Sequence, residues 1–348
     1  MKRLKVLVTG GAGYIGAHTT VELQKSGFEV VVVDNLSNSS EDVIDRIEKI
    51  TGERPRFFKA DCADLSAFSK VLEEVGEVDA AIHFAAFKAV GESVREPLMY
   101  YRNNLQSLIN LLQILTSSAK AAIVFSSSCT VYGQPDKENL PVNENAPLKK
   151  AESPYGMTKQ MCEDILEDTA KAFKDNLKVI SLRYFNPIGA HDSALIGELP
   201  RGVPQNLLPF VTQTAIGKRE QLNVFGNDYN TPDGSCIRDY IYVCDLAKAH
   251  VAAIKRMLYE SEMMEGNIEY FNLGTGRGLS VLEVISEFEK ATGVKIPYKI
   301  APRREGDVEQ VWADPSKANK ILGWIAETPL DEVMKSAWLW EQRLASDS

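Results

Sequence analysis

Residues 6–23 read VLVTGGAGYIGAHTTVEL: an apolar, β-branched run that passes at once into Gly10, Gly11, Gly13 and Gly16 and then into a helix-like segment. That junction restricts the fold more than any other feature of the chain. Glycines there allow a tight turn, a close approach of backbone to a pyrophosphate and packing of the helix on the strand, while the first N–H groups of the helix stay open to an anion. A second run, FEVVVVD, ends in Asp34 at about the ~20-residue distance expected of a carboxylate that accepts from the adenosine ribose hydroxyls. The pattern predicts a dinucleotide-binding β-α-β unit. A carboxylate repels a 2′-phosphate, and DNLSNSS (34–40) holds no arginine to receive one, so the expected cofactor is NAD rather than NADP.

Further strand-like runs follow as PRFFKAD, VDAAIHFAA, KAAIVFSSS and LKVISLRYFN, with segments of helical period between them. Strands apolar at nearly every position, alternating with helices, point to a parallel sheet covered on both faces, a Rossmann-type doubly wound α/β fold. Asp61 and Cys62 after the third strand, and Phe84 and Ala85 after the fourth, lie at strand C-terminal ends, where open α/β sheets bind ligands. After about Asn186 the chain turns to Gly/Pro-punctuated segments such as FNPIGAHDSALIGELPRGVPQN. Residues 1–186 are expected to form the cofactor domain. Residues 187–348 are expected to form mainly a smaller substrate-binding lobe, with some segments returning to the first domain.

The net charge of −9 argues against nucleic-acid or anionic-membrane partners, so phosphates must be held by local charge. The five cysteines are scattered without a CxxC, and the four histidines form no HxH or HxxxH pair. Neither a disulfide framework nor a metal site is expected. MKRLKVLVTG lacks the apolar core of a signal peptide, and no run approaches the ~20 apolar residues of a membrane span, which suits a soluble cytoplasmic protein.

In SPYGMTK (153–159), Ser153 suits a helix N-cap and Pro154 the first helical position. Tyr155 and Lys159 then share a helical face. Such a pair alone is unremarkable. Upstream, however, the fifth strand ends in Ser126, Ser127 and Ser128 on the cofactor side of the sheet, where serine, tyrosine and lysine have a common place to meet.

With these residues in view the whole chain resembles the extended short-chain dehydrogenase/reductase family and, within it, the UDP-glucose 4-epimerase branch. GGAGYIG, DNLSNSS, FAAFKAVGESV, YYRNN, SSSCTVYG, SPYGMTK, RYFNPIGAH, GVPQNLLPFV, VFGNDYNTPDGSCIRDYIYV, NLGTGRGLSV and RREGDVEQVWADPSKA match its pattern in order. The resemblance implies Ser128, Tyr155 and Lys159 as catalytic residues. It implies NAD contacts, beyond Gly10, Gly13 and Gly16, from Tyr14, Ile15, Asp34, Asn35, Asn38, Ser39, Asp61, Cys62, Phe84, Ala85, Lys88, Asn103 and Phe185, as well as Tyr155 and Lys159. For the UDP-sugar the matching positions are Lys88, Ser128, Tyr155, Asn186, Asn206, Leu207, Asn223, Phe225, Arg238, Arg304, Asp307 and Val311. Arg238 and Arg304 can each present a planar fork to diphosphate oxygens. One departure is Gln205, where the family often has a first asparagine before LLPF; Asn206 keeps the second.

The implied reaction is interconversion of UDP-galactose and UDP-glucose through a transient 4-keto sugar, with tyrosinate as base. Bringing a tyrosine from ~10 to ~7 requires ~4 kcal/mol in favour of the anion. Lysine at ~4 Å is marginal for that, and lysine with the oxidised nicotinamide charge is sufficient. Two other readings exist, a nucleotide-sugar 4,6-dehydratase and an NAD-sensing regulator. The first wants carboxylates where Cys129 and Thr130 stand, and the second would be expected to lose Tyr155. Val311 aligns, through Arg304, Gly306, Asp307 and Trp312–Asp314, with a position that faces the sugar 2-substituent. Its small size predicts acceptance of N-acetylated UDP-sugars, unless it packs beneath a neighbour that closes the pocket. A homodimer is expected by resemblance, and the apolar faces of NNLQSLINLLQIL and KQMCEDILEDTAKAF could pair across a two-fold axis or simply cover the sheet.

Overall fold

β1 (Lys5–Thr9) runs through the glycine turn into α1 (Tyr14–Lys25) and on to β2 (Glu29–Asp34). The alternation continues with α2 (Asp42–Thr51), β3 (Arg56–Lys59), α3 (Leu65–Val75), β4 (Ala80–His83), α4 (Val90–Arg95), α5 (Pro97–Leu115), β5 (Ala121–Ser128), α6 (Pro154–Ala172) and β6 (Leu177–Tyr184). The second half contributes β7 (Asn186–Ile188), α7 (Leu207–Ala215), β8 (Leu222–Phe225), β9 (Ile237–Tyr242), α8 (Val243–Tyr259), β10 (Ile268–Leu273), β11 (Gly278–Ser280), α9 (Val281–Thr292), β12 (Tyr298–Ala301), β13 (Gln310–Val311), α10 (Ser316–Ile321) and α11 (Leu330–Ser346). This computed structural model describes residues 3–118, 120–304 and 307–347; Gly306, used above to align Val311, lies outside them.

The main sheet has seven strands in the order β10-β6-β5-β4-β1-β2-β3, and every pairing is parallel. Strand order reverses between β1 and β4, which opens the ligand crevice of a doubly wound sheet at their C-terminal ends. Alternate residues serve opposite faces. Val6, Val8, Val30, Val32 and Ile82 pack toward α1, α2 and α8, while Leu7, Val31, Val33, Ala81 and Phe125 pack toward α3, α5 and α6. Burial on both faces is why these strands read as apolar at every position.

β9 anchors a second sheet, antiparallel to β11 and parallel to β7 and β13, and β8 pairs with β12. Its core joins Val224, Tyr240, Phe288 and Met334. A small apolar cluster of Val131, Tyr132, Val142, Phe185, Val311 and Ala313 lies apart from these larger cores. The returning strand β10 completes the main sheet beside β6, so the second half of the chain does contribute to the first layer.

Candidate active site

Gly10 adopts φ +72, and a Cβ there would stand 2.7 Å from the Ala85 backbone nitrogen; at Gly16 it would stand 2.3 Å from the Gly10 carbonyl. Close packing of α1, β1 and the loop after β4 therefore demands glycine. Gly13 is the N-cap of α1 and supplies no side chain to its first N–H groups, so the helix opens at Tyr14 and Ile15 with donors uncapped. Asp34, nearly buried at the end of β2, accepts from the Ala12 N–H at 3.1 Å, the Leu36 N–H at 2.9 Å and the Ser39 hydroxyl at 2.8 Å. Asn35 accepts from the Ser37 N–H at 2.9 Å in the same loop, where Asn38 is exposed.

Along the other strand ends, Asp61 accepts from the Ala63 N–H at 2.8 Å, and the carbonyl of buried Cys62 accepts from Asn110 at 2.8 Å. The Phe84 N–H donates to the Thr9 carbonyl at 2.9 Å, the Ser107 hydroxyl donates to the Ala85 carbonyl at 3.3 Å, and Asn103 donates to Asn104 at 3.0 Å. Lys88 stands 5.7 Å from the centre of the Tyr14 ring, whose hydroxyl donates to the Gly189 carbonyl at 2.6 Å. Phe185 is buried in the small apolar cluster.

Ser153 accepts from the Gly156 N–H at 3.2 Å and caps α6, with Pro154 in its first turn. Tyr155 and Lys159 follow one turn apart. Gly156 lets them pack closely, because a Cβ there would stand 3.0 Å from the Ala151 Cβ and 3.3 Å from the Thr130 Cβ. Lys159 is buried, donates to the Ser126 carbonyl at 2.5 Å, and lies 4.8 Å from the Phe125 ring centre and 5.8 Å from that of Tyr155. Burial lowers its pKa to about 8, with Cys162 and Glu163 opposing. Burial pushes the Tyr155 phenol well up, and the neighbouring Ser128 hydroxyl opposes that rise. Ser128, Tyr155 and Lys159 thus gather at the C-terminal end of β5. The Lys159 ammonium donates to the Ser126 carbonyl, and beside it Ser128 opposes the rise that burial imposes on the Tyr155 phenol.

On the lobe side, Arg238 and Arg304 share one carboxylate: Arg304 bonds both oxygens of Asp307 at 3.1 and 2.8 Å, and Arg238 approaches it at 3.6 Å. The Arg304 guanidinium lies 5.9 Å from the ring centre of exposed Phe225. The Arg238 charge reaches the first group as well, since it opposes the rise to about 11 that burial imposes on Cys129. Asn186 pairs with Tyr240 in β9, and Asn223 in β8 buries its Oδ1 with no hydrogen-bond partner among the described residues. Asn206 is the N-cap of α7 and Leu207 its first residue. Val311 is only 3% exposed and packs in the small cluster with Val131, Tyr132 and Phe185.

Three supporting residues escaped the sequence argument. The buried Asn104 amide uses all its capacity, accepting from the Phe87 N–H at 2.8 Å and Asn103 at 3.0 Å and donating to the Phe87 carbonyl at 3.0 Å and Thr158 at 3.1 Å. It ties the loop after β4 to α6. Glu163 receives Ser127 at 2.7 Å, Ser181 at 2.8 Å and a two-pronged Arg183 at 3.0 and 2.7 Å, which fixes α6 against β5 and β6. The place of Asn104 in YYRNN, and of Glu163 one helical turn beyond Lys159, was signal for both. Arg183 had none, being one more residue in an apolar strand.

A family profile described as GDP-mannose 4,6 dehydratase matches residues 7–337. The chain is similar to the UDP-glucose 4-epimerase of Bacillus subtilis, 50% identical over 338 residues that cover 97% of each protein. It is likewise similar to that of Dictyostelium discoideum, 49% identical over 97% of this chain and 95% of the other. The crystal structure of UDP-glucose 4-epimerase from Bifidobacterium longum in complex with NAD+ and UDP superimposes with a TM-score of 0.93 at 45% identity, covering 99% of this chain and 100% of that one. Over nearly its whole length, this chain belongs to the UDP-glucose 4-epimerases of the extended short-chain dehydrogenase/reductase family.

Proposed function

We propose that this enzyme interconverts UDP-galactose and UDP-glucose with NAD as its cofactor, and that Ser128, Tyr155 and Lys159 carry the proton transfer. The gathering of these three side chains beside an uncapped glycine turn is the observation that supports it most. The turn fits NAD: with Gly13 as a cap that brings no side chain, the first N–H groups of α1, at Tyr14 and Ile15, stay open for the pyrophosphate, and the Asp34 carboxylate stands at the strand end for the ribose. When bound, NAD supplies a hydride acceptor for sugar C4 and, oxidised, a positive charge near the phenol. Tyr155 takes the C4 hydroxyl proton and returns it once the 4-keto sugar has turned over, while Ser128 holds the same oxygen by a hydrogen bond. Lys159, 5.8 Å from the Tyr155 ring centre, adds positive charge, and Arg238 and Arg304 hold the diphosphate about which the sugar turns.

The family profile carries a dehydratase name, which favours a second reading, water elimination. That chemistry needs an acid and a base beside Ser128. Cys129 and Thr130 stand there, and the Cys129 thiol is held protonated by burial. Incubation of purified protein with UDP-galactose decides: UDP-glucose is expected, a 4-keto-6-deoxy product would establish the dehydratase, and no product would leave the NAD-sensing regulator.

We also assign the protein to the cytoplasm, in keeping with the absence of any helix among the described residues long and apolar enough to cross a membrane. A homodimer is proposed through α5 and α6, where Leu98, Met99 and Met161 face solvent. Residues 1–186, with β10 added, form the proposed cofactor domain. Acceptance of N-acetylated UDP-sugars rests on the small Val311.

A further inference from the structure

The loop DNLSNSS (34–40) contains no arginine, yet the fold brings one to it from 164 residues further along the chain. Arg201 donates from Nη1 to the Ser37 carbonyl at 2.8 Å and from Nη2 to the Ser39 carbonyl, so the two tips of one guanidinium hold the backbone on either side of Asn38. Asn38 and Ser39 are among the residues assigned above to NAD. This loop is one that needs holding. Leu36 adopts φ +60, a left-handed conformation that a leucine enters only at a cost. Asp34 takes two of the loop's donors, the Leu36 N–H at 2.9 Å and the Ser39 hydroxyl at 2.8 Å, and Arg201 takes two of its acceptors.

The segment that presents Arg201, between β7 and α7, is itself anchored at several points. Arg46 in α2 donates to the Leu195 carbonyl at 3.2 Å, Trp340 in α11 donates from Nε1 to the Glu198 carbonyl at 3.0 Å, and the Glu198 carboxylate accepts from Lys88 at 2.9 Å. Gly197 lies so close to Trp340 that a Cβ would stand 2.6 Å from the ring. Pro200 and Pro204 flank the arginine and restrict its backbone, so little further freedom is lost when the guanidinium engages. A planar fork of fixed geometry also takes two carbonyls with less loss of freedom than a flexible ammonium does.

We propose that Arg201 is a positioning residue for NAD: its fork fixes the Ser37–Ser39 backbone, and with it the Asn38 and Ser39 side chains, and so slows release of the cofactor at the adenosine end of its site. Arg201 acts through those two residues without touching the reacting atoms. Retention has a chemical use, because an epimerase returns each hydride to the sugar and regenerates its oxidised cofactor in place. The proposal rests on the assignment of Asn38 and Ser39 to NAD.

The test loads the protein with radiolabelled NAD and follows its release against excess unlabelled NAD in wild type, Arg201→Gln, Arg201→Lys, Asn38→Ala/Ser39→Ala and the triple variant that adds Arg201→Gln to that pair. Turnover of UDP-galactose at saturating NAD and competition by NADP are measured for each. Arg201→Gln is expected to release NAD roughly ten-fold faster while kcat at saturating NAD stays within about two-fold. Arg201→Lys keeps the charge without the fork and should recover little of the difference. In the Asn38→Ala/Ser39→Ala background, Arg201→Gln should add less than about two-fold. The proposal is overturned if Arg201→Gln releases NAD at the wild-type rate, if lysine restores that rate in full, if the effect persists undiminished without Asn38 and Ser39, or if kcat falls as far as release quickens. An effect on NADP alone would make Arg201 a charge for a 2′-phosphate and would also overturn it. Should Asn38→Ala/Ser39→Ala retain NAD as wild type does, the assignment of those residues falls; should that pair lose NAD while Arg201→Gln does not, the role of Arg201 alone falls.

Discussion

The helices α1 and α7 both begin at the site, and they are kept open by opposite means. At α1 the cap position is Gly13, which has no side chain to close it. At α7 the cap position is Asn206, whose amide donates to Glu198, and the third helical residue is Pro209, which has no N–H to be capped. Between them α6 is closed by Ser153 and presents side chains instead of N–H groups. On the proposed reading the site separates two tasks: open helix ends for anions, a capped helix for the proton chemistry.

The comparison breaks most visibly at α6. Tyr155→Phe removes the base while its ring still fills the site, so turnover is expected to fall by roughly 10³-fold or more with NAD still bound; Ser128→Ala should lose less. Turnover near wild type in Tyr155→Phe would end the mechanism. At α1, Gly13→Asp supplies both a cap and a negative charge. A Cβ there would stand 3.2 Å from the Gly10 carbonyl oxygen, so the turn must give by a few tenths of an ångström; NAD affinity should drop roughly 100-fold with only a small loss of Tm. Unaltered NAD binding would show that the open end of α1 is not the pyrophosphate site. Asp34→Ala should shift preference from NAD toward NADP, measured by the ratio of their dissociation constants.

Smaller effects sharpen the contrast between the two halves. Val311→Tyr inserts a ring into a packed cluster, and overpacking typically costs ~1–3 kcal/mol. A fall in Tm is expected, together with a lower kcat/KM for N-acetylated UDP-sugars relative to UDP-galactose; an unchanged ratio would show that Val311 serves packing alone. In the cofactor half, burial lowers His18 and His83 to about 3, and in α8 of the second half it lowers His250 to about 4. The unfolded chain therefore binds protons that the folded one does not as pH falls below about 6.5, and stability is lost from there down to about 4. Each histidine contributes about 1.4 kcal/mol per pH unit in that window. His83→Asn should flatten the acid limb of a Tm-against-pH curve, and a curve that keeps its slope would remove His83 from the account.

What the sequence determined alone is whatever rests on neighbours in the chain. The glycine turn, Asp34 at the end of its strand, the capped start of α6 and the Tyr155–Lys159 spacing depend on local backbone geometry and helical period, and the all-apolar strands announce a sheet covered on both sides. Tertiary structure decided the rest. Asn104 joins the loop after β4 to α6, Glu163 and Arg183 lock α6 to β5 and β6, and Glu198 receives both Lys88 and the Asn206 amide. Val311 shows the same limit, since alignment fixes its place but only packing shows it buried beside Phe185. Hydrogen bonds and packing between distant segments leave no periodicity in the chain, because their partners are chosen by the path of the fold and not by spacing along it.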